Sequence, residues 1–300
     1  MSYLDELVYR PPYEAASFLL QVTHGCSHNR CSFCTMYRDV PFSIETDECI
    51  EKQLKWAKTR CPDKDRVFLE NGDPFALPAE RLIEIAGLIH TYLPKVATIA
   101  MYASVKNLKS KSDADLRHLR ECGINDLNIG VESGLDEALT TMNKGYTAKD
   151  AFCELERLGN AGISYGANII FGGTGRDRWR ENASATAELL NRTKPYLIFT
   201  GTIHAEPGSP LYDDIQNGSF KESTFGEYLD EEEALLQALT LDDCFFFGLH
   251  RSNVVQMRGW LSRDKDALLA EVQNTRRRLC DQLDQIPARA GEGGIIRRMY

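Results

Sequence analysis

The chain has 300 residues, 43% of them hydrophobic, with 44 acidic against 35 basic side chains and a net charge of −9. That is enough apolar material for one large α/β domain or two smaller ones, and the acidic balance argues against a broad electrostatic footprint on nucleic acid or an anionic membrane. No run of 18 apolar residues could span a bilayer, the opening Met-Ser-Tyr-Leu-Asp-Glu lacks the basic and apolar regions of a signal peptide, and nine cysteines, an odd number, point to a reducing, cytoplasmic setting.

Arg10-Pro11-Pro12 makes residues 1–16 an extended lead-in. The apolar run 18–23 predicts a buried strand, and it feeds the loop Gly25-Cys26-Ser27-His28-Asn29-Arg30-Cys31-Ser32-Phe33-Cys34. A helix follows from Thr46-Asp47-Glu48 to about Lys58. Val67-Phe68-Leu69-Glu70 is a second strand, closed by Asn71-Gly72-Asp73-Pro74. Residues 78–92 carry helical spacing, and 96–102 form a third strand. Ser112-Asp113 starts a helix that Gly123 stops. Residues 126–131 form a fourth strand, followed by Glu132-Ser133-Gly134 and two helices at 135–142 and 147–161. A fifth strand at 164–171 ends in Gly172-Gly173-Thr174-Gly175. That run lacks the Lys-Ser/Thr of a phosphate-binding loop and reads as a tight turn. A helix at 181–193 leads to a sixth strand at 196–203, which runs out into His204-Ala205-Glu206-Pro207-Gly208.

Six strand–helix alternations give a parallel sheet with right-handed crossovers. Six are too few for a closed eight-stranded barrel, so the expectation is a partial (β/α)6 TIM-like barrel over 17–215. A mostly helical extension fills 216–300: an acidic helix at 225–240, a strand or buried lid segment at 242–247, a charged helix at 264–283 and a tail at 288–300 that reads either as a mobile end or as an interaction arm. The six cysteines outside the loop, Cys49, Cys61, Cys122, Cys153, Cys244 and Cys280, read as small core residues.

The loop holds three cysteines in nine residues, spaced C-x4-C-x2-C. It stands at the carboxyl end of a strand, where α/β folds carry their chemistry. Three thiolates suit a [4Fe–4S] cluster with one iron left open, a Cys3His zinc site completed by His24 or His28, or no metal at all. The loop alone leaves these three open.

Four segments together carry a resemblance to the radical S-adenosylmethionine (radical SAM) superfamily over 17–212. They are Cys26 to Cys34; Glu70-Asn71-Gly72-Asp73-Pro74; Asn128-Ile129-Gly130-Val131-Glu132-Ser133-Gly134 with Met142-Asn143-Lys144-Gly145; and Pro207-Gly208-Ser209-Pro210-Leu211-Tyr212. The branch it resembles is shared by oxygen-independent coproporphyrinogen oxidases, methylthiotransferases and Elp3-type proteins. The first cysteine gap departs from the family's pattern by one residue.

The resemblance implies that Cys26, Cys31 and Cys34 ligate a [4Fe–4S] cluster and that S-adenosylmethionine occupies the open iron. One electron, from a donor such as flavodoxin or ferredoxin, would then give a 5′-deoxyadenosyl radical that abstracts hydrogen from a substrate. It further implies that Phe33, Gly72, Asp73, Ser104, Glu132 and Asn168 contact S-adenosylmethionine. His204, Glu206 and Tyr102 are the candidates for positioning substrate. Bland roles stand beside these: a loop anchor for Phe33, a turn for Gly72-Asp73, a helix cap for Glu132 and a satisfied core amide for Asn168. Cys244 could donate a hydrogen atom but reads better as a core thiol. The acidic balance favours a small-molecule substrate over RNA or protein, and a zinc-binding structural protein is the alternative of another class.

Overall fold

The computed structural model describes residues 10–279. Cys280 and the 288–300 tail lie outside the described residues, as does the start of the lead-in. The chain forms two compact units. One comprises residues up to Asn29, Tyr37–Ile129 and Glu156–Tyr165; the other comprises Arg30–Met36, Gly130–Leu155 and Gly166 onward.

The first unit is built on β1 (Phe18–Leu20), β4 (Arg66–Leu69), β5 (Thr98–Ala103) and β6 (Ile124–Glu132) as far as Ile129, side by side and all parallel. The first predicted strand is shorter than its apolar run. The chain leaves the sheet after Leu20, and Thr23–His24 (β2) pairs antiparallel with Ser43–Ile44 (β3). Val22 stays buried, and its carbonyl accepts from the Glu45 N–H at 2.9 Å.

Helices α1 (Asp47–Arg60), α2 (Ala79–Tyr92), α3 (Val105–Leu108) and α4 (Asp113–Glu121) follow the strands. Their ends obey the sequence signals. Thr46 caps α1 by accepting from the Cys49 N–H. Ser112 and Asp115 form a capping box on α4, and Gly123 follows with φ +85°. In α2 the spacing of Leu82, Ile85, Ala86 and Ile89 puts all four on one buried face, each of the larger side chains contributing roughly 1.5–3 kcal/mol.

The lead-in is fastened rather than loose. Pro12–Glu14 forms a short 3-10 turn, and the buried Glu14 carboxylate accepts from Arg66 Nε at 2.9 Å. Arg66 also donates to Asp126 Oδ2 at 2.5 Å. This buried network ties residue 14 to the amino-terminal ends of β4 and β6 through charge-assisted hydrogen bonds.

In the second unit, β7 (Ser164–Phe171), β8 (Leu197–Thr202) and β9 (Phe245–Phe247) run parallel, and β10 (Arg258–Trp260) is antiparallel on β9. Within the 242–247 segment Phe245–Phe247 is therefore a strand, and with β10 it adds two to the six that the alternation predicts. Its three phenylalanines lack the alternation of a half-exposed strand, because both faces are covered. The helices are α5 (Asp136–Thr141), α6 (Ala148–Asn160), α7 (Trp179–Thr193), α8 (Pro210–Asn217), α9 (Phe225–Ala238) and α10 (Leu261–Leu279). A Thr224–Glu227 capping box starts α9. Gly172–Gly175 is the expected tight turn, closed by a 3.0 Å bond from the Gly175 N–H to the Gly172 carbonyl. Among the described residues no helix is long and apolar enough to cross a membrane.

Candidate active site around the cysteine loop

Cys26 belongs to the first unit, and the Asn71–Pro74 segment after β4 comes to it there. The Gly72 N–H donates to the Gly25 carbonyl at 3.1 Å. A Cβ on Gly72 would stand 2.7 Å from Cys26 Cβ and 2.8 Å from the Gly25 oxygen, so only glycine permits this approach. Asp73, 2% exposed, accepts from Ser27 Oγ at 2.6 Å and from Asn107 Nδ2. Its carboxylate is thus held beside the residue that follows Cys26. Ser104 lies one residue past β5, where its Oγ accepts from the Asn107 N–H at 3.3 Å and caps α3.

Tyr102 sits in β5 opposite Asn128 of β6, edge-on to Phe68 at 5.2 Å. Burial and then Glu14 push its phenol above the usual range. His24 has both ring nitrogens engaged inside this unit, Nδ1 at 3.1 Å from Gln21 Nε2 and Nε2 at 3.0 Å from Glu45 Oε2. Among the described residues no three His, Cys, Asp or Glu side chains are gathered as a metal site.

Cys31 and Cys34 lie in the second unit, and two distant segments clamp the stretch that carries them. Ser32 donates from its N–H to the Met142 carbonyl at 3.1 Å and from Oγ to the Thr141 carbonyl at 2.6 Å. Asn143 Nδ2 donates to the Arg30 carbonyl at 2.7 Å, and the Leu211 N–H donates to the Ser32 carbonyl at 2.9 Å. Thr35 Oγ1 donates to Glu206 Oε2. Phe33 is half-buried on the same stretch.

The end of β6 is built around a charge pair. Glu132 adopts φ +62°, a left-handed conformation that is rare outside glycine. Lys144 Nζ lies 2.9 Å from Glu132 Oε1 and 3.9 Å from Cys31 Sγ. A Cβ on Gly130 would stand 2.5 Å from that Glu132 oxygen, so the glycine makes room for the pair. Burial alone would lower the Lys144 ammonium, but Glu132 and Cys31 hold it well above its ordinary range. Tyr146 pins the backbone beneath, donating to the Gly130 carbonyl at 2.7 Å and the Val131 carbonyl at 3.0 Å.

Asn168 is half-buried within β7, opposite Phe199. His204 and Glu206 follow β8 and are exposed. Cys244 is fully buried, and burial pushes its thiol up to about 12, which marks a core residue. Lys144 is the residue that the sequence reading passed over. Its place in Met142-Asn143-Lys144-Gly145 was visible, but not its proximity to a cysteine 113 residues away.

Residues 20–185, more than half of the chain, match the Radical SAM superfamily. The chain belongs to the radical SAM superfamily. Enzymes of this superfamily use a [4Fe–4S] cluster and S-adenosylmethionine.

Heme chaperone HemW of Bacillus subtilis (strain 168) is 24% identical over 235 residues, covering 76% of this chain and 60% of that protein. The chain thus spans less than two thirds of that curated relative. Among solved structures, methylornithine synthase (PylB) is 17% identical with a TM-score of 0.51, covering 91% of this chain and 83% of that one. Elp3 of Methanocaldococcus infernus is 12% identical with a TM-score of 0.52, covering 75% of this chain and 58% of that one. These likenesses are of fold: a mostly parallel α/β sheet like the TIM-like partial barrels of radical SAM proteins. HemW and Elp3 match the branch that the four segments indicate.

Proposed function

We propose that this chain is a radical SAM enzyme in which Cys26, Cys31 and Cys34 hold a [4Fe–4S] cluster. The observation that carries this reading is the convergence of the other three family segments on the cysteine loop: Gly72 and Asp73 against Cys26 and Ser27, Thr141–Lys144 against Arg30–Ser32, and Leu211 against Ser32. The donor set fits the group. Thiolates are the ligands of such clusters, Gly72 leaves space beside Cys26, and the Lys144 ammonium offsets negative charge at Cys31. His24, committed to Gln21 and Glu45, fits poorly as the fourth ligand of a zinc site.

When bound, the cluster supplies the electron that splits S-adenosylmethionine into methionine and a 5′-deoxyadenosyl radical. The protein's part is to bind, orient and exclude water. Phe33 would pack near the adenine. Gly72 and Asp73 accept from the methionine ammonium, with Asp73 pre-set by Ser27 and Asn107. Ser104, Glu132 and Asn168 contact the ribose and methionine parts. His204, Glu206 and Tyr102 would position a small-molecule substrate as the hydrogen donor. The electron comes from a one-electron donor of the flavodoxin or ferredoxin kind, in the cytoplasm.

The test is anaerobic purification followed by iron and sulfide analysis and a reductive assay with dithionite and S-adenosylmethionine. A brown protein that forms 5′-deoxyadenosine is expected, and Cys31→Ala should abolish both colour and product while the far-ultraviolet dichroism is kept. A colourless protein carrying one zinc ion overturns the reading.

A further inference from the structure

We propose that the loops following β8 and β9 form a recognition site for an anionic group of the substrate, a carboxylate or a phosphate, built from His204, His250 and Arg251. The inference rests on the reading of the chain as a radical SAM enzyme with a small-molecule substrate, and it assigns that substrate its charge.

The topology comes first. β8 and β9 are parallel neighbours, with Leu197 opposite Phe245 and Phe199 opposite Phe247. Both therefore run out at one edge, the carboxyl edge where α/β folds place ligands. His204 lies two residues past the end of β8 and His250 three residues past the end of β9.

The second loop is stapled down rather than draped. Asn253, 2% exposed, donates from Nδ2 to the Thr200 carbonyl and to the Gly248 carbonyl, each at 3.0 Å. Thr202 Oγ1 donates to Asn253 Oδ1 at 3.2 Å, and the Thr202 N–H donates to Ser252 Oγ at 2.9 Å. Such a loop presents its side chains from a fixed frame.

The His250 ring is oriented as well. Its Nδ1 lies 2.7 Å from Ser252 Oγ and 3.3 Å from the Ser252 nitrogen, while its ring stands in a T-shaped contact with Phe199 at 5.9 Å between centroids. The Ser252 N–H can only donate, so the nitrogen it meets, Nδ1, carries no hydrogen and receives the Ser252 hydroxyl as well. That makes Nδ1 the acceptor and leaves the proton on Nε2 as an outward donor.

Charge supplies the ligand class. His204 and Arg251 are exposed, and neither has a hydrogen-bond or ion-pair partner among the described residues. Glu206, the acidic side chain nearest His204 in sequence, is turned to Thr35. Burial, then Arg251, then His204 hold His250 below its ordinary range, so the Arg251 guanidinium stands near a neutral imidazole that offers an N–H. The chain as a whole carries −9, so this local basic spot is not a by-product of overall charge. A guanidinium fork with an imidazole N–H beside it matches the oxygens of a carboxylate or phosphate.

The experiment uses the cluster-loaded, oxidised protein, labelled with 13C at histidine Cε1 and saturated with S-adenosylmethionine so that the probe does not compete for that cofactor's own site. Succinate, inorganic phosphate and neutral succinamide are titrated separately, with resonances assigned through H204Q and H250Q. The His204 and His250 signals should shift saturably with succinate or phosphate and not with succinamide, and Arg251→Gln should weaken binding at least about tenfold. The stronger of the two anions identifies the substrate's group. Absence of a saturable shift, an equal response to succinamide, or unchanged affinity in R251Q overturns the proposal. A protein that forms 5′-deoxyadenosine yet fails this titration keeps its proposed function and loses its anionic substrate. A protein that never loads a cluster fails at the earlier step.

Discussion

Lys144 and Glu132 form an ion pair at 2.9 Å with each side chain about one-tenth exposed. Glu132 reaches it from a left-handed backbone conformation that most residues avoid. Removing one partner of such a pair leaves the other charge buried and uncompensated. Lys144→Met should therefore cost about 3–5 kcal/mol of stability. The K144M/E132M double variant should recover part of that loss, since no charge is then stranded. Urea unfolding of the two single variants and the double variant reads the coupling directly.

Gly72 makes a second prediction. A methyl group there meets Cys26 Cβ, the Gly25 oxygen and the Tyr37 ring, all below 3.0 Å. Two of the three neighbours cannot swing aside. Gly72→Ala should cost roughly 1–3 kcal/mol through overpacking, and the strain falls on the stretch that carries Cys26. Iron content per chain after reconstitution should drop more than the melting temperature does.

Glu232 is 2% exposed, and its Oε1 finds no hydrogen-bond partner among the described residues. Burial, with help from Glu231, pushes its carboxyl from 4.5 up to about 8. Between those values the folded protein holds a proton that the unfolded chain releases, so stability falls as pH rises through this window and stays reduced above it. Glu232→Gln cannot ionise. It should match the parent near pH 5 and exceed it by roughly a few kcal/mol near pH 9, as measured by denaturant melts across that range.

Glu231 differs from its neighbour because both its oxygens are used. Oε2 accepts from the Gly172 N–H at 2.9 Å, and Oε1 accepts from Asn182 Nδ2. Asn182 Oδ1 in turn accepts from Ser133 Oγ, which itself accepts from the Leu135 N–H at 2.9 Å. Glu231→Gln sets an amide donor against another donor and should loosen the turn after Glu132, weakening S-adenosylmethionine binding about tenfold or more. Exchanging the roles restores the pattern: in the E231Q/N182D double variant the glutamine donates and the aspartate accepts. Titration calorimetry should show affinity lost in each single variant and regained in the double one. A role limited to filling space would give no such rescue.

The sequence made much of this architecture readable where the signal was local. Helix starts at Thr46 and Ser112 were legible because the capping side chain lies three residues from its target. The buried face of α2 was legible because its period is 3.6. The cysteine loop was legible because all three thiols fall within nine residues. What escaped was non-local. Phe245–Phe247 has no periodicity to separate strand from buried lid, and its pairing with β8 and β10 decides it. Lys144 gains meaning only beside Cys31, and His250 only because Asn253 and Ser252 fasten its loop to β8. The buried chain from Glu14 through Arg66 to Asp126 joins three segments that no sequence window contains together.

The hydrogen bonds of Glu231 carry a practical corollary for anyone who trims this protein. A shortened version ending near residue 215, where the strand–helix alternation stops, would discard the acceptor that Gly172 and Asn182 share. Two donors would be stripped bare in the interior and the turn behind Glu132 would lose its brace. The last quarter or so of the described polypeptide therefore serves as scaffolding for chemistry encoded far upstream, and expression libraries should keep it whole.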